Sequence, residues 1–419
     1  MTMAKRIKIG LIGCGMISGS HINGYLAHPQ HAEIVAVCDT VDENAKRRAE
    51  QVLAGAETRA NEAAANAKKT ENSESRENLK ENAARWTEYK DNGVKVFNDF
   101  NEMIKTCELD AVSLATPPFV HEAPTLAAAN AGKHVFCEKP MARTATEARN
   151  MREACDKAGV KLAYQSGGTC LNPTSYAIRD YVTSGKIGDV HYGRLTSYRL
   201  RGRPNVDMFG FGRWFLNSAY SGGGTIYDTG VYDINRSIYL LGSPQPATIS
   251  GIAYRGMLPE YTGDEINDVE EFASVFVRFT NGMSFTYEHG WSSNMAGQPQ
   301  GIFIFGSKGS FSGDRLFLEK GKWETDDKGN RRRYQGNLEE TPLELPDRHF
   351  PDKFRDFLNA CNSDAQPVSN GDVGQKVTEI MSGALLSAKL GREITVEELY
   401  EIEALRTEPI PGWPIPSGI

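Results

Sequence analysis

The chain has 419 residues, of which 40% are hydrophobic and 24% charged, and its formal net charge is −7 at pH 7. These values are typical of a globular protein with roughly two or three domains, which excludes disordered and disulfide-scaffold classes. An acidic chain without a basic field does not attract nucleic-acid backbones or anionic lipid, so we expect neither as a partner. The seven cysteines form no C-x-x-C pair, and no segment approaches about 18 uncharged apolar residues. We therefore expect a cytoplasmic protein with no membrane span.

Short β-branched runs alternate with helical patterns over the first 165 residues. The predicted strands lie at 7–12, 34–38, 94–97, 111–115, 134–137 and 161–165. Such alternation is typical of a parallel, doubly wound sheet, so we assign residues 1–165 to one α/β domain. The stretch between the second and third strands is longer than a crossover requires. Its Ala, Glu, Asn and Lys content predicts a helical insertion at about 51–93, with a partly disordered insertion as the alternative.

After residue 165 the pattern changes to long β-type runs joined by short turns. These runs lie at 190–200, 247–254, 271–280, 283–291 and 302–305. Asn281 and Gly282 between two of them form a strong hairpin turn signal. Consecutive strands with short connections predict an open, mainly antiparallel sheet of five or six strands. Together with helices predicted at 173–184, 352–361 and 375–390, this sheet assigns residues 166–419 to an α+β domain.

A glycine cluster follows the first predicted strand and precedes a helical pattern. Gly13 and Gly15 permit a tight turn and let the backbone approach a pyrophosphate at the helix N-terminus. Ser18 stands at the third position of the G-x-G-x-x-G fingerprint, where a small residue still allows the helix to pack on the strand. This context predicts a Rossmann dinucleotide-binding motif. Its candidate cofactor-binding residues are Gly13, Gly15, Met16 and Ile17.

The acidic residue that completes such a motif is Asp39, at the end of the second predicted strand. A carboxylate at this position accepts hydrogen bonds from the ribose hydroxyls of the adenosine and repels a 2′-phosphate. We therefore expect NAD as the cofactor. Arg47 and Arg48, one or two helical turns further on, keep NADP as the second choice. The alternative role of Asp39, or of Thr40, is that of a helix N-cap.

Two further motifs lie where the fourth and fifth predicted strands end, at residues 116–118 and 138–140. The carboxyl ends of parallel strands form the ligand-binding edge of such a sheet, so we expect both motifs to face the nicotinamide half of the dinucleotide. A partly desolvated ammonium at this edge can move a hydroxyl proton, which makes Lys139 the candidate catalytic residue. The candidate cofactor-binding residues on this edge are Thr116, Pro117, Glu138 and Lys139.

These strings resemble the signature of the glucose-fructose oxidoreductase, inositol dehydrogenase and rhizopine catabolism (Gfo/Idh/MocA) family. The similar segments are residues 13–15, 116–118 with His121, 132–140, 306–310 and the tail around 391–392. The resemblance implies an NAD(P)-dependent oxidoreductase that acts on a sugar or cyclic polyol, and it implies that His121 lies near the cofactor as a further cofactor-binding residue. It also implies a cofactor domain and an α+β domain, whose open sheet forms the interface of a homodimer or homotetramer.

The family's further catalytic motif is an aspartate followed four residues later by a histidine, on a helix after a glycine run. In this chain Gly222–Gly224 precede Asp228, and Tyr232 stands at the histidine position. The departure resembles the glucose-fructose oxidoreductase and dihydrodiol dehydrogenase branches, where tyrosine takes that place. A spacing of four puts both side chains on one helical face, so we expect Asp228 and Tyr232 to hold neighbouring hydroxyls of one ring.

We therefore expect hydride transfer between a secondary hydroxyl of a sugar or cyclic polyol and NAD. Lys139 and Tyr232 would handle the proton, and Asp228 would fix an adjacent hydroxyl. Two alternatives stay open, namely NAD-dependent glycoside cleavage through a transient 3-keto sugar and a non-catalytic NAD-binding sensor. The sequence offers no His, Cys or carboxylate set with metal-ligand spacing, so no metal is expected.

Overall fold

The computed structural model describes residues 5–204, 206–208, 212–256, 266–295 and 300–405. Residues 406–419 of the predicted second domain lie outside this description. The helices in chain order are α1 (Ser18–Leu26), α2 (Asp42–Lys69), α3 (Ser73–Asn92), α4 (Phe100–Thr106), α5 (Glu122–Asn130), α6 (Ala145–Ala158), α7 (Pro173–Thr183), α8 (Ser218–Ser221), α9 (Thr225–Asp228), α10 (Gly230–Leu240), α11 (Lys353–Cys361), α12 (Gly371–Leu390) and α13 (Val396–Ala404). Within the described ranges, no helix combines the length and the apolar character that crossing a membrane requires.

The chain divides into two compact units, each with its own sheet. The first unit extends to residue 141 and adds residues 147–165 and 351–371. The second unit holds residues 142–146, 166–350 and those from 372 onward. This division differs from a single boundary at residue 165, because the segment 351–371 returns to the first unit.

The first unit contains a six-stranded parallel sheet with the strand order β3-β2-β1-β4-β5-β6. Its strands are β1 (Ile7–Ile12), β2 (Ala32–Cys38), β3 (Lys95–Phe97), β4 (Ala111–Leu114), β5 (His134–Cys137) and β6 (Leu162–Tyr164). All four residues of β4 are buried, as expected for a central strand that is covered on both faces. The doubly wound prediction is confirmed. The strand order reverses between β1 and β4, and such a reversal opens a crevice at the carboxyl ends of the strands.

The segment 351–371 belongs to the first unit because α11 supplies part of its core. The Phe354 ring stacks on Phe136 of β5 with the ring centroids 5.1 Å apart, and Phe357 is fully buried beside them. Helix α1 packs against the same ring. A Cβ atom at Gly24 would overlap Phe354, so glycine is required at this contact.

The region between β2 and β3 is occupied by α2 and α3, which contact each other and the sheet. The Trp86 indole donates a hydrogen bond to the Leu26 carbonyl at 2.9 Å, and the Tyr89 ring is buried. The Ile34 amide of β2 donates to the Tyr89 hydroxyl at 3.1 Å. The two aromatic residues of α3 therefore attach it to the core of the first unit.

The second unit contains a nine-stranded sheet with the order β16-β13-β12-β11-β7-β10-β9-β8-β17. The strands of this unit are β7 (Val190–Tyr198), β8 (Pro246–Tyr254), β9 (Phe272–Phe279), β10 (Ser284–Gly290), β11 (Gly301–Gly306), β12 (Gly309–Ser312), β13 (Arg315–Glu319), β14 (Lys322–Thr325), β15 (Arg331–Gln335), β16 (Leu338–Thr341) and β17 (Ile394–Thr395). Among the strand pairs of this sheet that the structure describes, β7 and β10 pair in parallel and the others are antiparallel, so the mainly antiparallel prediction is confirmed. The expected number of five or six strands was wrong, because the additional strands have only two to five residues each.

Side chains of the nine-stranded sheet alternate between two faces. On β10, Phe285, Tyr287 and His289 are buried, whereas the intervening side chains are only half-buried. The helix-covered face packs closely, since a Cβ atom at Gly230 of α10 would lie 2.9 Å from the Tyr287 hydroxyl. The opposite face, here termed the open face, carries partly exposed aromatic side chains, namely Tyr192, Tyr198, Tyr254, Phe272, Phe276, Phe303 and Phe305.

Candidate active site

The glycine turn after β1 leaves a bare stretch of backbone at the crevice of the first unit. Gly13 has a φ of +89°, and a Cβ atom there would lie 2.7 Å from Cγ2 of Thr116. A Cβ atom at Gly15 would meet nothing within 4 Å. The turn is therefore closely packed at Gly13 and open at Gly15, which is the arrangement that lets a pyrophosphate approach the backbone.

Asp39 is held against this turn. Its Oδ2 accepts a hydrogen bond from the Cys14 amide at 2.7 Å, and its Oδ1 accepts one from the Val41 amide at 2.9 Å. The N-cap position of α2 is Val41, so Asp39 does not cap that helix directly. Each carboxylate oxygen has a further lone pair, and the half-buried side chain remains open to hydroxyl donors.

Two arginines of α2 contact the carbonyl side of the glycine turn. The Arg48 guanidinium donates to the carbonyls of Gly15 and Met16, and Arg47 donates to the Cys14 carbonyl at 3.4 Å. Burial, together with the neighbouring Arg47, lowers the pKa of Arg48. The turn thus has a carboxylate and two cations beside it.

The residues at the crevice fit a dinucleotide. The Thr116 hydroxyl at the end of β4 is buried and, among the described residues, has no hydrogen-bond partner. Gly15 leaves space above the backbone, and next to it Met16 and Ile17 expose 65% and 40% of their surface. An orphaned hydroxyl, a bare turn and an exposed apolar surface suit a ligand with both phosphates and flat rings.

His121 joins the loops that follow β4 and β5. The ring is fully buried, with Nε2 2.8 Å from the Thr116 carbonyl and Nδ1 3.1 Å from the carbonyls of Pro140 and Met141. Burial lowers its pKa despite these carbonyl contacts. His121 therefore brings the Thr116 loop and the Lys139 loop together. Direct contact of His121 with a cofactor remains a prediction.

Lys139 follows β5 and is half-buried, and the Lys139–Pro140 peptide bond is cis. The preceding Glu138 is only 4% exposed. Its Oε2 accepts a hydrogen bond from the Lys139 amide at 3.0 Å, and its Oε1 lies 2.9 Å from His21 Nε2. Burial by itself would raise the pKa of the Glu138 carboxyl, but His21 and Lys139 together lower it below its ordinary value. An ionised carboxylate thus anchors the loop that carries Lys139.

His21 continues this buried network toward the centre of the sheet. Its Nδ1 lies 2.8 Å from the Ser113 hydroxyl of β4, to which the Tyr25 hydroxyl also donates at 3.0 Å. The sequence alone did not place His21 in this network. A histidine in the first turn of the helix after a glycine motif was the available signal, but its partner Glu138 is remote in sequence and could not be inferred.

In the second unit, a buried glutamate fixes the glycine run before Asp228. Glu270 is 1% exposed, and its carboxylate accepts hydrogen bonds from the amides of Gly224 at 2.7 Å and Ile226 at 2.9 Å. A Cβ atom at Gly224 would overlap the Glu270 carbonyl. The backbone at Gly224 therefore lies as close to the backbone at Glu270 as glycine allows. Burial raises the pKa of Glu270 to about 7. Sequence reasoning missed this residue.

Asp228 and Tyr232 do not lie on one continuous helix, so that expectation was wrong. Helix α9 ends at Asp228 and α10 begins at Gly230, with Thr229 between them at a φ of −112°. The Thr229 hydroxyl lies 2.6 Å from Nε2 of His289, which pins the junction to the sheet. Asp228 and Tyr232 are nevertheless both half-buried, whereas the residues directly before each of them are buried.

His289 is a second residue that sequence reasoning missed. It lies on the helix-covered face of β10, is 1% exposed, and its Nδ1 has no hydrogen-bond partner in the described part of the chain. That Nδ1 lies 3.8 Å from Asp233 Oδ2. Burial lowers the pKa of His289 to about 4, so the imidazole is neutral. The alternation of buried and half-buried residues along β10 could have indicated which face of the sheet His289 occupies, but it could not have indicated the contact of His289 with Thr229.

Comparison with known proteins identifies the family. Residues 51–166 match the model of an oxidoreductase family with an NAD-binding Rossmann fold, and residues 176–312 match the GFO/IDH/MocA C-terminal domain. The D-glucoside 3-dehydrogenase of Escherichia coli K12 is 23% identical over 395 residues, which cover 93% of this chain and 97% of that protein. The myo-inositol 2-dehydrogenase of Thermotoga maritima is 26% identical over 306 residues, 73% of this chain and 85% of that protein.

Among solved structures, the WlbA dehydrogenase from Bordetella pertussis, in complex with NADH and UDP-GlcNAcA, superimposes with a TM-score of 0.64 at 20% identity. The match covers 93% of this chain and 99% of that chain. It shows a shared fold across both units. The two family models together match more than half of the chain, and the matched ranges include Lys139, Asp228 and Tyr232. The chain therefore belongs to the GFO/IDH/MocA oxidoreductase family and is an NAD(P)-dependent oxidoreductase.

Proposed function

We propose that the protein transfers a hydride between a secondary hydroxyl of a sugar or cyclic polyol and NAD. The observation that carries the proposal is the edge of the parallel sheet, where the bare backbone of Gly15 and the orphaned Thr116 hydroxyl lie beside the loop of Lys139. The names of the two relatives, a glucoside dehydrogenase and an inositol dehydrogenase, support a hydroxylated ring as substrate.

The bound dinucleotide would supply the hydride acceptor. The residues of this chain would position the substrate and move its proton. Lys139 hydrogen-bonds the reacting oxygen and helps to move its proton. Tyr232 acts as the acid/base partner, and Asp228 accepts a hydrogen bond from a neighbouring hydroxyl. Positioning of the reactants contributes on the order of 7 kcal/mol or more, and proton transfer by a positioned group about 10²- to 10⁴-fold in rate.

The experiment that tests this proposal measures absorbance at the reduced-nicotinamide band. The protein and NAD are mixed with a panel of inositols, aldoses and glycosides. Reduced cofactor is expected with at least one member of the panel. If every member leaves the absorbance unchanged while NAD still binds, the dehydrogenase proposal fails and the sensor alternative gains support.

We expect Tyr232→Phe to lower kcat by about 10²-fold or more, because the ring is kept while the hydroxyl that handles the proton is lost. Steady-state kinetics with the substrate found in the panel would measure the change, and the Kd of NADH is expected to stay the same. Tyr239→Phe, on the same helix α10, is the matched control. Unchanged kcat in Tyr232→Phe would remove this residue from the mechanism.

The proposed preference for NAD rests on Asp39. Asp39→Ser removes a charge that repels a 2′-phosphate, while Arg47 and Arg48 stay beside the turn. We expect the affinity for NADPH relative to NADH to rise by about 10- to 100-fold, measured by the fluorescence of the bound reduced cofactor. Asp42→Asn, at the start of α2, is the control. A constant ratio in Asp39→Ser would contradict the assigned role.

A second candidate function is glycoside cleavage through a transient 3-keto sugar. The name of the E. coli relative, a glucoside 3-dehydrogenase, favours oxidation at C3, which is the first step of such a reaction. The two functions differ in what accumulates. Release of the aglycone without net formation of NADH would assign this second function, whereas stoichiometric NADH would assign simple dehydrogenation.

We propose that the open face forms a homodimer or homotetramer interface. Tyr192 and Phe305 stack there with their centroids 5.6 Å apart, and Phe305 is 41% exposed. A second copy of the chain would bury this aromatic surface. Sedimentation velocity is expected to show a dimer or larger species, and a monomer at all concentrations would contradict this proposal.

We further propose a cytoplasmic location. All seven cysteines are free thiols, and six of them are buried within the two units. Reduced thiols in these positions are typical of a reducing compartment.

A further inference from the structure

The loop that carries Lys139 has an anion buried at its base. The carboxylate of Glu138 is held by His21 at 2.9 Å and by the Lys139 amide at 3.0 Å, and its side chain is 5% exposed. A carboxylate at this depth is stable only because these partners compensate for the loss of water. The charge of Glu138 therefore acts on the neighbouring ammonium through a medium that screens poorly.

A second cation, Lys353, lies in the same cluster of side chains. It is the first residue of α11, directly after the N-cap residue Asp352, and is half-buried. Its Nζ lies 5.3 Å from the centroid of the Phe354 ring. That ring packs edge-on against His21, with centroids 5.6 Å apart, so Lys353 and Glu138 border the same aromatic contact.

The charges in this cluster act on each other. Burial lowers the pKa of Lys353, Glu138 and Asp352 raise it, and the ammonium of Lys139 lowers it further. Electrostatic interaction is reciprocal, so Lys353 must disfavour the charged form of Lys139 as Lys139 disfavours that of Lys353. Glu138, Asp352 and Lys139 are the charged groups that act on Lys353, while His21 contacts Glu138 at 2.9 Å and His28 contacts Asp352 at 2.7 Å.

We propose that Glu138 and Lys353 set the charge state of Lys139 with opposite effects, and that His21 holds Glu138 in place. Glu138 favours the ammonium form, which can donate a hydrogen bond to an alkoxide. Lys353 favours the neutral form, which can accept the hydroxyl proton. The balance keeps both forms accessible, as proton transfer in either direction requires. The value of this balance for catalysis rests on the proposed role of Lys139, and both tuning groups are positioning residues.

The test is competitive labelling of the purified full-length protein with acetic anhydride. The reactivity of Lys139 is followed against pH by peptide mass spectrometry, with the exposed Lys105 as internal reference. We expect Glu138→Gln to lower the apparent pKa of Lys139 by about one unit or more, and Lys353→Met to raise it by a similar amount. Lys353→Arg keeps the cation and is expected to leave the titration of Lys139 close to that of the wild type.

Opposite directions distinguish the proposal from structural damage, since a disturbed loop would shift the titration of Lys139 in one direction in both variants. Glu102→Gln and Lys157→Met, at exposed positions, are the controls. Shifts in the same direction, or none, would overturn the proposal. If Glu138→Gln does not fold, Lys353→Met against Lys353→Arg still decides. The labelling needs neither cofactor nor substrate, so a failure of the proposed function leaves the result readable.

Discussion

Replacing Lys139 by methionine is expected to lower kcat/KM by about 10²- to 10⁴-fold. Methionine fills a similar volume but can neither donate a hydrogen bond to the reacting oxygen nor take up its proton. The affinity for NADH is expected to change far less, because the turn at Gly13 and Gly15 and the carboxylate of Asp39 provide the proposed contacts to the dinucleotide. Steady-state kinetics and a fluorescence titration with NADH measure the two effects separately.

The matched control is Lys157→Met, which removes an exposed lysine near the end of α6 in the same unit. It is expected to retain the kinetics and the thermal midpoint of the wild type. Turnover by Lys139→Met within a factor of a few of the wild-type rate would show that another group moves the proton.

The second large effect is expected at the glycine turn, where substitutions at Gly13 and Gly15 are expected to affect stability differently. Gly15→Ala adds a methyl group where nothing lies within 4 Å, so we expect an unchanged thermal midpoint and a loss of NADH affinity of at least about 10-fold. Gly13→Ala forces a side chain into a positive φ and against Thr116, so both stability and affinity are expected to fall. The backbone strain alone costs roughly 1–2 kcal/mol.

Thermal unfolding and NADH titration of both variants test this contrast. Gly336→Ala in the second unit, where the nearest atom to the added Cβ lies 3.8 Å away, is the control. Full NADH affinity in Gly15→Ala would show that the dinucleotide does not lie over this backbone, and the candidate cofactor site would have to be placed elsewhere.

The parallel sheet could be predicted from the sequence because five of its six strands, all except the exposed edge strand β3, are short apolar runs that are mostly buried. The run Ile7–Ile12 and the run His134–Cys137 were predicted with the bounds that the structure shows. The glycine turn was also predictable, since the need for a positive φ at Gly13 is a local property of the backbone.

The edges of the second sheet could not be predicted in the same way. Strands β12, β16 and β17 have four, four and two residues, which is too short for an alternating pattern to emerge. Their position depends on pairing with neighbours that are distant in sequence. The return of α11 to the first unit depends likewise on the contact between Phe354 and Phe136, which no local pattern indicates.

Some residues of the candidate site could likewise be predicted from the sequence, and others could not. Candidate residues at strand ends, such as Asp39 and Lys139, could be found because the fold places strand ends at a common edge. The buried residues Glu270 and His289 could not be found, because their contacts with α9 and Thr229 join positions that are more than 40 residues apart in sequence. A spacing of four between Asp228 and Tyr232 also failed to reveal the break at Thr229, because a tertiary contact fixes that residue.

The central claim, direct hydride transfer from a secondary carbinol carbon to the nicotinamide, is tested most directly with a deuterated substrate. The substrate carries deuterium on the carbon whose hydroxyl group is to be oxidised. The reduced cofactor is isolated, and its mass is measured by mass spectrometry. We predict that the deuterium appears in the reduced nicotinamide and that Lys139→Met slows this transfer by about 10²- to 10⁴-fold. Deuterium found in water, with none in the cofactor, would contradict the account.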